Sequence, residues 1–243
     1  MKIFDSWLVN TYIAHRGLHN EKYAENSISA FKNAIEHGYA IELDVQAIGD
    51  GTVVVFHDET LQRVTGADGY LKNISSKDNL KNYKLNGTKD CIPTLAQVLR
   101  LVNGQVPILI EIKNVGKVGQ LEESLFNLLK KYKGDYAIQS FNPYVLEWFK
   151  KNAPEVLRGQ LSCKFKGERM NFIKKCILRK MKLNKTVSEP HFIAYKYDEI
   201  PHCCSTKYKS LPVLAWVVKT QQDYINTIKK CDNIIFEGFT PKI

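Results

Sequence analysis

Short apolar runs alternate with stretches of helical periodicity along most of the chain. Thr11–Ala14, Ala40–Val45 and Val53–Phe56 read as strands. Between the first two, Ile28, Phe31, Ala34 and Ile35 recur at helical spacing and predict a helix over Asn26–His37. Asn26 stands where an N-cap belongs, and Gly38 where a C′ glycine belongs. Gly49-Asp50-Gly51 is a turn signal, so the strands on either side of it pair as a hairpin or follow one another in a barrel. Thr60–Pro93 has weak periodicity and many turn residues. It reads as a small insertion with little regular structure. Thr94–Val102 then predicts a helix capped by Thr94.

From there strand and helix alternate. Strands are predicted at Val106–Ile112, Tyr136–Gln139, Val156–Leu161, Leu211–Val217 and Asn233–Phe236, with a weak one at Pro190–Ala194. Helices are predicted at Gln120–Lys131, Pro143–Asn152, Arg169–Lys182 and Gln221–Lys230. This alternation implies βαβ units and a parallel sheet. About eight such units in roughly 250 residues is the size of a TIM (β/α)8 barrel. The expectation is one barrel domain over residues 1–243 with an irregular insertion at about 60–93. A doubly wound open sheet is the alternative, but no G-x-G-x-x-G follows a predicted strand. The chain has no internal repeat.

Composition changes this picture little. The 243 residues are 44% hydrophobic and 25% charged, as expected of a globular protein. The net charge of +10 raises the question of an acidic partner. Residues 164–185 answer part of it, since they hold nine Lys or Arg against one acid, Glu168. The rest of the chain is close to neutral, which removes most of the support for a nucleic-acid-binding protein. The six cysteines show no C-x-x-C spacing, so no zinc site is suggested. No signal peptide or membrane-length apolar run is apparent, and a cytoplasmic protein with reduced thiols is expected.

Polar residues recur where the predicted strands end. His15 and Arg16 follow the first strand, Glu42 and Asp44 lie in the second, and His57 and Asp58 follow the third. Glu111 and Lys113 stand at the fourth, and Gln139, Ser140, Gln160, Trp216 and Glu237 further on. In barrels of this kind the reactive side chains come from the C-terminal strand ends. Glu42 and Asp44, two apart on a strand, point to one face. Three carboxylates converging there would repel one another unless a hard cation such as Mg²⁺ or Ca²⁺ joined them. Arg16 and Lys113 supply positive charge for an anion, and His15 and His57 are suited to move protons near neutral pH. That set suits phosphodiester cleavage. A single strand-end histidine is more often structural, and a single E-x-D more often a surface ion-pair partner. Their joint occurrence in order reverses the balance.

These residues resemble the glycerophosphodiester phosphodiesterases. The carrying motif is His15-Arg16, then Glu42-Leu43-Asp44, then His57-Asp58, set in the words IAHRG, ENSISAF, IELDV and VVVFHDETLQRVTG, followed by IPTL, IEIK and QSF. The resemblance is strong over residues 12–113, thinner to about 142 and patchy beyond. It implies a TIM barrel with a small early insertion that hydrolyses glycerophosphodiesters to sn-glycerol 3-phosphate and an alcohol, using a divalent cation. It further implies Glu42, Asp44 and Glu111 as metal ligands, His15 and His57 as the acid–base pair, Arg16 and Lys113 on phosphate, and Trp216 against the glycerol. Two stretches depart from the pattern. The last strand reads IIFEGFTP, with Glu237 where an aspartate often stands, and Val217-Val218-Lys219 replaces a common T-V-N.

Some alternatives stay open at this level. Either histidine serves as acid and the other as base, with His15 favoured as acid. Asp58 either orients His57 or caps the following loop. Arg169–Lys182 sets Met170, Ile173, Ile177 and Met181 on one face, which suits an ordinary outer helix with a solvated basic face. The same pattern suits peripheral contact with an anionic membrane through 164–185. Two rival functions follow: lysophospholipase D-type hydrolysis of lysolipids at a membrane surface, or a barrel that binds phosphoesters without turnover.

Overall fold

A computed structural model of the chain describes residues 3–114, 116–200 and 210–242. Strands and helices alternate in the predicted way, and the fold is a TIM (β/α)8 barrel. The residues divide into two compact units, Ala14–Tyr136 and Met1–Ile13 with Ala137–Ile243. Among the described residues no helix is long and apolar enough to cross a membrane.

A one-turn helix, α1 (Trp7–Asn10), precedes β1 (Ile13–Ala14). Four residues are too few for periodicity to reveal, and the sequence reading missed α1. In α2 (Ile28–Glu36) the apolar stripe buries Ala30, Phe31 and Ala34. Its N-cap is Ser27, not Asn26: the Ser27 side chain accepts from the Ala30 N–H at 3.1 Å. β2 (Ala40–Ala47) alternates in the expected sense, with Ile41 and Leu43 fully buried on one face. It runs parallel to β4 (Ile108–Ile112), with Leu43 opposite Ile110 and Asp44 opposite Glu111. It also pairs antiparallel with β3 (Val53–Val55), Val45 opposite Val55. Of the two options the turn at 49–51 left open, the hairpin is the one formed.

The stretch 60–93 is irregular in backbone, as expected, but it carries a core of its own. Leu61, Val64, Leu71, Ile74, Leu80, Leu85 and Ile92 pack against Val54 and Phe56 of the hairpin. Each such side chain contributes about 1.5–3 kcal/mol on burial. One of its short turns is α3 (Gln62–Thr65), closed by Gly66 in the left-handed region, φ 73°. Next comes α4 (Leu95–Val102), opened by a capping box between Thr94 and Gln97. The unit ends with α5 (Gln120–Leu129).

The second unit carries β5 (Tyr136–Ser140), α6 (Pro143–Asn152), β6 (Arg158–Ser162), α7 (Phe172–Arg179), β7 (Phe192–Lys196), β8 (Val213–Val218), α8 (Gln221–Thr227) and β9 (Asn233–Phe236). Its strands lie parallel in the order β5-β6-β7-β8-β9. A side chain at Gly159 would run into the Phe192 ring on the neighbouring strand, so β6 needs glycine there. The amide of Asn233 donates to the Leu8 and Thr11 carbonyls, each at 2.8 Å.

α7 departs from its prediction. It is shorter than Arg169–Lys182 and buries none of its residues. Ile173 is 70% exposed and its neighbour Phe172 79%. Met181 leaves the expected face through a left-handed backbone, φ 47°, and packs instead with Ile193 and Tyr195. A stripe of apolar residues at helical spacing predicts a buried face only when another element covers it.

Candidate active site

The site begins where β1 ends. His15 and Arg16 follow Ala14, and the backbone turns through two left-handed residues, Arg16 (φ 55°) and Gly17 (φ 79°). The turn aims the Arg16 N–H at Glu42 Oε2 (3.0 Å) and the Gly17 N–H at the Glu42 carbonyl (3.2 Å). Any Cβ on Gly17 would lie 2.9 Å from Phe31 Cδ1 and 3.0 Å from Ala30, so the turn and α2 fit together only with glycine between them. Asn26 is a third left-handed residue (φ 54°), and its N–H donates to the Arg16 carbonyl at 2.9 Å. With Ser27 taking the cap, the Asn26 side chain turns inward. It donates from Nδ2 to Asp44 Oδ2 at 2.9 Å and accepts from the Asp44 N–H at 3.4 Å.

Three carboxylates converge on this turn. Glu42 and Asp44 share the face of β2 opposite Ile41 and Leu43, and the β2–β4 register sets Glu111 beside Asp44. All three are buried, and one carboxylate oxygen from each lies within 4.8 Å of the others. Burial, then the charges of Asp44 and Glu111, push the Glu42 carboxyl well above the usual range. Glu111 is also raised, by burial first, with Lys113 opposing and Asp44 adding to the shift. Burial works against ionised Asp44 too, but Lys113, His57, Arg16 and His15 outweigh it and hold Asp44 below its ordinary value.

Two cations stand against these acids. Lys113 Nζ lies 2.6 Å from Glu111 Oε1 and 3.3 Å from Asp44 Oδ1. Arg16 Nε lies 3.3 Å from Asp44 Oδ2, while its Nη1 donates to Glu25 Oε1 at 2.6 Å. Asp44 Oδ1 and Glu111 Oε1 are buried and accept no hydrogen bond of good geometry. Such oxygens in a cluster of three carboxylates fit a hard divalent cation with oxygen ligands. Glu42, Asp44 and Glu111 are therefore the residues able to hold one.

His57 follows β3, and its Nδ1 shares a 2.6 Å hydrogen bond with Asp58 Oδ1. Asp58 thus holds the ring, and the helix that follows the loop, with Leu61 at its N-cap, has no side-chain cap. Arg63 donates from Nε to Asp58 Oδ2 (2.6 Å) and from Nη2 to Asp58 Oδ1 (2.9 Å). Hydrogen bonds from Arg63 and His57, against some burial, bring the Asp58 carboxyl down to about 2. Gln46, two residues past Asp44 on β2, donates to the carbonyls of Phe56, His57 and Asp58 at 2.9, 3.1 and 2.9 Å. Sequence reading missed both Gln46 and Arg63. For Gln46 the signal was its place on the same face of β2 as the two carboxylates. For Arg63 the signal was only its place in the VVVFHDETLQRVTG word.

In the other unit, the Trp216 ring at the end of β8 packs edge-on against Phe141 at 5.6 Å, and Phe141 against Phe165 at 5.9 Å. Glu237 pairs with Lys219 at 3.0 Å. His202, Cys203 and Cys204 lie outside the described residues.

Comparison with known proteins places the chain in a family. Residues 15–233 match the model of the glycerophosphoryl diester phosphodiesterase family. A glycerophosphodiester phosphodiesterase from Caldanaerobacter subterraneus subsp. tengcongensis is 38% identical over 161 residues, 61% of this chain and 65% of the relative. The matched region is thus just under two thirds of that relative's length. An Oleispira antarctica phosphodiesterase, solved in complex with the product sn-glycerol-3-phosphate, superposes with a TM-score of 0.79 at 22% identity. It covers 95% of this chain and 93% of its own. A glycerophosphodiester phosphodiesterase from Thermotoga maritima superposes with a TM-score of 0.71 at 26% identity, over 93% of each chain.

Proposed function

From the premise that the chain belongs to the glycerophosphoryl diester phosphodiesterase family, we propose that it hydrolyses glycerophosphodiesters to sn-glycerol 3-phosphate and an alcohol. The observation that carries the reading is the buried triad of Glu42, Asp44 and Glu111, flanked by Arg16, Lys113 and two histidines. Glu42, Asp44 and Glu111 would hold a Mg²⁺ or Ca²⁺ ion. Such an ion, when bound, supplies Lewis-acid charge at a phosphoryl oxygen. Arg16 and Lys113 bind the phosphate and stabilise charge that builds on its oxygens. Trp216, on its aromatic support, packs against the glycerol.

His15 and His57 move the protons. Asp58 on Nδ1 leaves His57 Nε2 as the reactive nitrogen and stabilises the ring once it is protonated, which favours His57 as the base. His57 then takes a proton from the attacking oxygen, of water or of the glycerol 2-hydroxyl. A bond forms from that oxygen to phosphorus as the bond to the leaving alkoxide breaks. His15 gives the alkoxide its proton. Attack by water yields sn-glycerol 3-phosphate directly. Attack by the 2-hydroxyl yields a five-membered cyclic phosphate, which water then opens at phosphorus as the bond to the 2-oxygen breaks. In that step His15 takes the proton of the water and His57 returns its own to the 2-oxygen. The test is release of sn-glycerol 3-phosphate from glycerophosphocholine and glycerophosphoethanolamine in the presence of Mg²⁺ or Ca²⁺. Release from either is expected. No release from these or from lysophospholipids would leave a binding barrel without turnover.

A second reading concerns where the enzyme works, and α7 is what favours it. A helix with no buried residue, presenting Phe172 and Ile173 to solvent inside a stretch of nine cations, suits shallow contact with an anionic lipid surface. The reading extends the substrate range to lysolipids. The protein is expected to sediment with phosphatidylglycerol vesicles at low salt and not with phosphatidylcholine vesicles, and the double variant Phe172→Ser/Ile173→Ser to stay in the supernatant. Equal partition of the native protein to both vesicle types would dismiss the idea.

A further inference from the structure

We propose that Arg63 is a positioning residue that ties the proton-transferring His57 to the phosphate-binding Arg16 in one rigid chain of hydrogen bonds. The proposal rests on the catalytic reading above for what the two ends do, but its geometry stands by itself. Arg63 grips Asp58 with two donors and Glu25 with two, Nη1 to Oε2 and Nη2 to Oε1, both 2.7 Å. Glu25 in turn accepts from Arg16 Nη1 at 2.6 Å, and Asp58 holds His57 Nδ1 at 2.6 Å. The path Arg16–Glu25–Arg63–Asp58–His57 thus runs unbroken, with arginine and carboxylate alternating up to the ring. The first residue reads phosphate, the last moves a proton, and neither touches the other.

The guanidinium is the only side chain whose planar fork spans two carboxylates in this way. Its position is set from outside the barrel strands. Arg63 sits on α3, whose N-cap Leu61 and whose own Val64 are anchored in the core of the 60–93 insertion. The insertion therefore has a task beyond covering the hairpin, which is to deliver this one arginine. Stability is not the return. The Arg63 side chain is 49% exposed, and exposed ion pairs are worth little to the fold. The return is geometric: both carboxylate oxygens of Asp58 are occupied, so the carboxylate cannot rotate away from Nδ1, and His57 keeps the tautomer with Nε2 open. Glu25 is likewise held, so it fixes Arg16 Nη1 while Arg16 Nε keeps its 3.3 Å approach to Asp44 Oδ2.

Arg63→Met and Arg63→Lys are the test, each checked for native circular dichroism, with ¹⁵N NMR of the His57 ring as a readout separate from turnover. In the native protein the ring is expected mainly as the Nδ1–H tautomer. In Arg63→Met the Nε2–H form gains population and kcat falls about 10–100-fold, as expected of an approximately 1 Å misplacement. Lysine keeps a charge but cannot fork, so Arg63→Lys stays near the Met variant in both readouts. A merely structural arginine would leave the tautomer unchanged and be rescued by lysine. An unchanged His57 spectrum in both variants overturns the proposal, whether or not the native protein turns over any diester. Absence of turnover in the native protein overturns the catalytic reading instead and leaves the tautomer result to decide the role of Arg63.

Discussion

His57→Ala is expected to lose about 10²–10⁴ in kcat and to fold normally. The size of the loss follows from what the ring does: nothing else at the end of β3 combines a free imidazole nitrogen with a carboxylate fixed behind it. The tolerance of the fold follows from what the ring does not do. Its side chain is 32% exposed, so its removal opens no cavity in a core. Asp58 keeps both bonds from Arg63, and Gln46 still holds the three carbonyls of the loop. Steady-state turnover with a thermal melt on the same sample checks both halves. Turnover near that of the native protein would take His57 out of the mechanism. A melt lowered by many degrees would mean that the loop depends on the ring.

Glu42→Gln is expected to abolish turnover and, in metal-free protein, to raise stability at neutral pH. Three buried carboxylates crowd one another, and Glu42 bears the largest consequence, with its carboxyl held well above its ordinary value by burial and by two neighbouring acids. A carboxyl raised in the folded state binds a proton there before it does in the unfolded chain. Its contribution to stability is full below the unfolded value of about 4.3 and is lost as pH rises through the higher folded value. Metal-free native protein should therefore gain stability as pH falls from 7 towards about 4.3, through this group. Glutamine keeps the shape and the acceptor for the Arg16 N–H but removes the charge, so that part of the slope disappears. It also removes a proposed ligand, so the rise in melting temperature expected on adding Mg²⁺ or Ca²⁺ to the native protein should be lost. Calorimetry of both proteins across that pH range, with EDTA or with metal, reads all of this. An undiminished metal-induced shift in Glu42→Gln would show that the cation is held elsewhere.

Most of the barrel was legible because its strands and helices carry their own periodicity. Alternation put Glu42 and Asp44 on one face of β2, and the parallel register then brought Glu111 to them. Other features were not legible, each for a physical reason. Asn26 looked like a cap because asparagine at a helix start usually is one. A serine beside it took that role, and the freed amide went to Asp44. The core of the insertion was not legible because its turns are too short to display a period, although its apolar residues find one another across thirty positions. Arg63 and Glu25 are 38 residues apart, and no local rule predicts which arginine will meet which glutamate. α7 failed in the opposite sense. Its local pattern was clear, but whether an apolar stripe is covered depends on tertiary neighbours that the stripe itself does not name.

The bonds from Asn233 to the carbonyls of Leu8 and Thr11 bear on how the chain is made. The amide that satisfies those two carbonyls leaves the ribosome more than two hundred residues after them. Residues 14–136 form a compact unit from one continuous stretch and have their own partners to hand as soon as they emerge. α1 has no such advantage. It waits for more than two hundred further residues before the side chain that will hold it is made, and contacts of such sequence separation form slowly. Translation thus imposes an order that refolding from denaturant does not, with the stretch bearing His15, His57 and the three carboxylates free to condense well before the first helix has its anchor.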